Sequence, residues 1–104
     1  MSEAELQRKI LAYLAERMDI QAWRNNTGTA ASRSGRFVRF GIKGQADISG
    51  IIAPSGRRLE IEVKNVAGRQ SPDQRRFQAM IEKYGGLYVL ARAVEDVTNR
   101  LPAT

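Results

Sequence analysis

Two carboxylates and one ammonium group carry the chemistry this sequence offers: Asp47 in Gly44-Gln45-Ala46-Asp47, and Glu62 and Lys64 in Leu59-Glu60-Ile61-Glu62-Val63-Lys64. A carboxylate pair of this kind holds a hard divalent cation, and a cation so held polarises a phosphate and lowers the pKa of a bound water. The backbone carbonyl of Val63, between Glu62 and Lys64, is a further oxygen donor. Lys64 can orient an attacking water or stabilise charge in the transition state. The reaction that suits this set is hydrolysis of a phosphodiester. The cation would keep both carboxylates ionised and spare their repulsion. Glu-x-Lys alone is also the ordinary pattern of an exposed amphipathic strand, so the reading depends on the addition of Asp47. Glu60 reads as a solvated or salt-bridging neighbour.

The three groups meet only if the chain folds back between them. Ala46 to Ala53 reads as a strand, Pro54-Ser55-Gly56 as turn chemistry, and Arg58 to Asn65 as the returning strand of a hairpin. Strand side chains alternate, so Glu60, Glu62 and Lys64 share one face and Leu59, Ile61 and Val63 the other. Antiparallel return then brings Asp47 to the Glu62–Lys64 end.

Around the hairpin, Ser2 to about Met18 predicts a helix capped by Ser2, with Leu6, Ile10, Tyr13, Leu14 and Met18 at helical spacing. Ile20 to Arg24 alternates as a short strand. Asn25 to Gly35 reads as a flexible Gly-, Ser-, Thr- and Asn-rich loop, and Phe37 to Phe40 as a brief strand. Ser71-Pro72-Asp73-Gln74 opens a second helix with a capping box, Phe77, Met80, Ile81 and Tyr84 mark its buried face, and Gly85-Gly86 stops it. Leu87 to Ala91 is an apolar strand, and Val94, Val97 and Leu101 mark a last short helix. The expected fold is one α/β (α+β) domain, residues 1–104, with a central mixed sheet flanked by helices in the order α-β-(β)-β-β-α-β-α.

Composition narrows the function. There is no cysteine and no histidine, which excludes zinc fingers, thiol chemistry and imidazole bases and leaves oxygen ligands, favouring Mg2+ or Mn2+. Lys and Arg number 17 against 11 Asp and Glu, a net charge of +6, which points to a polyanionic partner, most simply nucleic acid. No acidic residue falls between Trp23 and Ala46, while Arg24, Arg33, Arg36, Arg39 and Lys43 do, giving a phosphate-binding track toward Asp47. Asn25, Asn26, Thr27 and Thr29 are candidate neutral donors, and Arg69, Arg75 and Arg76 extend the track. For any single arginine, a solvated loop position explains it as well. No signal peptide or membrane span is expected, so the expected setting is cytoplasmic.

The Gly-x-x-Asp, Glu-x-Lys and Ser-x-x-Gln blocks, spaced as Asp47, Glu62, Lys64 and Gln74 behind an acidic first helix, resemble the VRR-NUC branch of the PD-(D/E)XK nucleases over almost the whole chain. That resemblance implies a restriction-endonuclease-like core and Mg2+- or Mn2+-dependent DNA cleavage. It also implies a homodimer acting on branched DNA such as four-way junctions. Ala46 stands where the wider superfamily often has proline, which relaxes the backbone but spares the ligand. The resemblance further implies a first-helix glutamate completing the metal site. Glu3, on the stripe of Leu6 and Ile10, is chosen over Glu5, although a first-turn charge explains either. Gln74 corresponds to the family's motif glutamine, yet the capping box already accounts for it, and one glutamine is expected not to serve both. Phe37, Phe40 and Leu87 are apolar positions that a dimer partner would cover. The alternatives are a catalytically inactive DNA-binding module of the same fold, and an interaction protein of a replication or packaging machine.

Overall fold

The computed structural model describes residues 1–26, 28–31, 35 and 37–103. Ser2 caps α1 (Glu3–Ala15) by accepting the Glu5 N–H at 3.1 Å, and Leu6, Ile10 and Leu14 form its buried stripe. The chain continues through β1 (Ile20–Arg24), β2 (Gly28–Ala31), β3 (Phe37–Phe40), β4 (Ile48–Ile52) and β5 (Arg57–Val63) to α2 (Pro72–Lys83), β6 (Leu87–Ala91) and α3 (Val94–Thr98). This is the expected α+β order with one addition: β2 forms inside the segment read as loop. It pairs antiparallel with β3, Gly28 opposite Phe40 and Ala31 opposite Phe37, in a ribbon separate from the main sheet.

The main sheet is mixed, ordered β1-β4-β5-β6. The β4–β5 hairpin and β1–β4 are antiparallel. α2 carries the chain over to β6, which runs parallel to β5 with Leu59 opposite Leu87 and Val63 opposite Ala91. Alternation divides the sheet into two unlike faces. Ile20, Ile48, Ile52, Leu59, Ile61, Val63, Leu87, Val89 and Ala91 pack with α1 and α3 into one apolar core. On the other face α2 covers Tyr88 through Phe77 and Ile81, with Ala46 completing a smaller cluster. That second face also buries Ser49, Glu60 and Glu62. Leu87, expected to lack cover, is buried within the single chain, because α1 and α3 already enclose its face. Among the described residues no helix is long and apolar enough to cross a membrane.

Candidate active site

Asp47 lies one residue ahead of β4, because its own side chain takes over the ladder there. Asp47 Oδ2 accepts the Val63 N–H at 2.8 Å, where a backbone carbonyl would otherwise continue the pairing. This contact delivers Asp47 to the Glu62–Lys64 end of β5, as the hairpin requires. A strand residue sends its N–H and C=O to the same flank, so the Val63 carbonyl faces the Asp47 side.

Glu62 is 3% exposed. Its Oε2 lies 3.5 Å from the Lys64 Nζ and accepts from Gln74 Nε2 at 3.2 Å, while its Oε1 is buried without a partner. Asp47 is near enough for its charge to act on the Glu62 carboxyl. Burial pushes the Glu62 carboxyl up to about 8; the Asp47 charge adds to this and the Lys64 ammonium opposes it. Without a metal, burial therefore favours the protonated form of Glu62. The set is two carboxyl groups, one with an orphaned oxygen, beside a backbone carbonyl and an ammonium. Its donors are all oxygens, which fits a hard divalent cation displacing the proton.

Gln74 serves both functions that were expected to compete. Its Oε1 accepts the Ser71 N–H at 2.9 Å to close the capping box, and its Nε2 donates to Glu62. The two ends of one amide point to different partners, so the cap orients the donor instead of turning it away. α2 is brought to this position by Gly44. At φ +79° it packs on the first turn of α2, and a Cβ there would collide with the Asp73 carbonyl. The Gly-x-x-Asp and Ser-x-x-Gln blocks are thus in direct contact.

Glu3 is not brought to this pair. Its carboxylate accepts the Asn65 N–H at 3.0 Å, one step farther along the rim, and no trio of acidic side chains placed to hold a metal exists among the described residues. Glu60 is fully buried, not solvated. α2 covers its face, and the salt-bridging expectation holds: Arg58 Nε donates to its Oε2 at 2.7 Å, while Oε1 has no partner.

The basic track is only partly in view. Arg33 and Arg36 lie outside the described residues, as does Thr27; Arg39 is located by its backbone, opposite Thr29. Arg24 is exposed, but its register with Ile48 puts it on the sheet face opposite Glu62. Lys43 is paired with Asp73 at 3.4 Å, and Arg76 with the same carboxylate. The Lys43 pair ties the approach loop to α2, whereas the Arg76 pair lies within the helix. Arg75 donates to the Gln70 carbonyl, and Arg69 is exposed.

Sequence reasoning missed three supports. Asn25, read as a DNA donor, instead has its side chain on Ala46 and Ser49. Its position directly after an alternating strand was the only local signal. Arg92 donates to the carbonyls of Asn65 and Gly68 at 2.6 and 2.7 Å, holding the turn beyond Lys64. Gly68 lets that turn lie on the Lys64 stem, where a Cβ would stand 3.2 Å from Lys64 Cδ. Neither had a signature, because the partners are far apart in the chain or appear only in the fold. No family model matches the chain, and no curated protein or solved structure compared with it does either.

Proposed function

We propose that this protein is a Mg2+- or Mn2+-dependent DNA endonuclease of the VRR-NUC kind, a homodimer selective for branched DNA such as four-way junctions. One observation carries the reading. Buried Glu62 faces Asp47, is flanked by Lys64 and Gln74, and keeps one oxygen without a partner. Asp47, Glu62 and the Val63 carbonyl are the groups that would hold the ion. When bound, the ion would polarise the scissile phosphate and acidify a water. Gln74 fixes one Glu62 oxygen, and the other is left without a protein partner, free for the ion. The Lys64 ammonium stabilises the charge that builds on the phosphate as the P–O bond to the leaving group breaks. The basic composition supplies the attraction for DNA.

Dimerisation draws support from the apolar surface around Arg58. Its guanidinium lies 5.9 Å from the centre of the exposed Trp23 ring, and exposed Ile51 is its cross-strand partner. Arg58 also lines a cleft of about 270 Å3 with Ile42, Met80 and Tyr84.

The test incubates the protein with labelled four-way junction, flap, single-stranded and duplex DNA in magnesium, manganese or EDTA, beside Lys64→Ala. Paired, metal-dependent incisions in the junction that disappear in the variant are expected. Cleavage confined to flaps or duplex would keep the chemistry and remove the junction assignment. The second reading, a binding module without chemistry, is favoured by two converging acids with no third grouped beside them among the described residues. It takes over if wild type and Lys64→Ala bind alike and neither cuts.

A further inference from the structure

Asn25 follows the last residue of β1 and makes three short hydrogen bonds around Asp47. Its backbone N–H donates to the Asp47 carbonyl at 2.8 Å. Its Nδ2 donates to the Ala46 carbonyl at 2.9 Å and to Ser49 Oγ at 2.6 Å. These partners are the residue before the metal-binding candidate, the candidate itself and the residue two after it. Ser49 is fully buried and Ala46 nearly so, so the amide is oriented from both sides. Asp47 has left the β4–β5 ladder to place its carboxylate on Val63. Its backbone is therefore held on the β1 side by Asn25 and on the β5 side by its own side chain.

We propose that Asn25 is a positioning residue of the metal site, acting through Asp47. The inference rests on the metal-dependent reading above but reaches a residue that reading does not use. A carboxylate just outside the regular strand ladder, held by few contacts, can swing once one of them is lost, and a ligand that swings must be ordered when the ion binds. Asn25 supplies that order beforehand. Loss of a residue that fixes a ligand typically weakens metal binding about ten- to a hundred-fold. Removing the amide also leaves the buried Ala46 carbonyl without its donor, so the backbone at Asp47 keeps only the Asn25 N–H on the β1 side.

The measurement is Mn2+ binding to the full-length, metal-free protein by EPR of free Mn2+, with no DNA present. Melting curves and junction binding in EDTA are recorded in parallel. The variants are Asn25→Ala; Asn25→Ser, whose short hydroxyl cannot serve both acceptors; and Leu14→Ala, which damages only the opposite face of the sheet. Expected is an Mn2+ dissociation constant about ten-fold or more weaker in Asn25→Ala. Asn25→Ser should fall between it and wild type, junction affinity in EDTA should be unchanged, and Leu14→Ala should bind Mn2+ like wild type despite a lower Tm. A merely structural Asn25 would lower Tm and leave Mn2+ affinity alone. If either folded Asn25 variant binds Mn2+ within about two-fold of wild type, the proposal falls while the metal site stands. If wild type itself binds no Mn2+, the metal reading falls and takes this inference with it. Should Asn25→Ala not fold, the serine variant decides.

Discussion

The two faces of β5 are made from alternate residues of one seven-residue strand, yet they are built on opposite terms. Leu59, Ile61 and Val63 face α1 and α3 in a core that is apolar throughout. Glu60 and Glu62, between them, are equally buried under α2, and each keeps an oxygen with no partner. The first arrangement is what the hydrophobic effect favours. The second is costly, since a buried carboxyl without a full set of partners is destabilising. One face thus holds the fold, and the other accepts a loss of stability to keep two acids and a lysine at a rim. The proposed chemistry would account for that cost, and the contrast can be broken from either side.

The largest effect is expected on the polar face. Lys64→Ala should lower metal-dependent cleavage on the order of a thousand-fold, comparable to losing a preorganised charge-stabilising donor, while the melting temperature moves little. Single-turnover rates on a labelled junction measure it; a variant that cuts at a tenth of the wild-type rate would remove Lys64 from the chemistry. The mirror experiment is on the apolar face. Ile61→Ala should cost about 3–4 kcal/mol in urea unfolding, through lost burial and the cavity left behind, with the cleavage rate of the remaining folded protein intact. If Ile61→Ala abolished cleavage in protein shown to be folded, the two faces would not be separable.

Legibility in the sequence divides along the same line. The hairpin, the meeting of Asp47 with the Glu62–Lys64 end and the capping box of α2 were readable, because each is set by local alternation or by turn and cap chemistry. The apolar face was readable for the same reason. The polar face was only half so. Alternation tells which side Glu60 takes, not that α2 will cover that side; of the two expectations for it, solvation fails and the salt bridge, to Arg58, is found. Gln74 was expected to choose between cap and site, because a motif assigns one role to a residue while an amide has two ends. Glu3 shares the inward stripe of α1 as its spacing implied, yet a stripe fixes direction and not reach, and the Asn65 N–H intercepts it. Gly44 looked like part of a motif; its reason, contact with α2, exists only in three dimensions.

Protonation sharpens the contrast further. The folded protein holds a proton on Glu62 up to about 8, whereas a glutamate in the unfolded chain releases it near 4.5. Between those values the native state binds more protons than the unfolded state. In EDTA, stability should therefore fall as pH rises from about 5 to about 8, by on the order of 3 kcal/mol. Glu62→Gln removes the titration and should flatten that slope, and it should be more stable than wild type at the alkaline end. Urea midpoints at pH 5, 6, 7 and 8 give the answer directly. An unchanged slope in the variant would place the linked proton on some other group.

The smallest effect concerns Arg58 and Glu60, the polar pair that touches no reacting group. Arg58 is half exposed and Glu60 fully buried, so the pair gains little from solvent-screened attraction and depends on not leaving Glu60 alone. Arg58→Leu alone should cost about 2 kcal/mol, because it leaves the buried Glu60 carboxyl without its donor. Replacing both, Arg58→Leu with Glu60→Leu, should return stability to within about 1 kcal/mol of wild type, since an apolar pair fits the cover that α2 already provides. Cleavage by the double variant should stay near the wild-type rate. The double-mutant cycle by urea unfolding measures this, and cleavage is read alongside. If the double variant is as unstable as the single one, burial of charge on this face is structural and Glu62 loses its claim to be a special case. If it is stable but inactive, Glu60 belongs to the site, and the chemistry on this face extends beyond Asp47, Glu62 and Lys64.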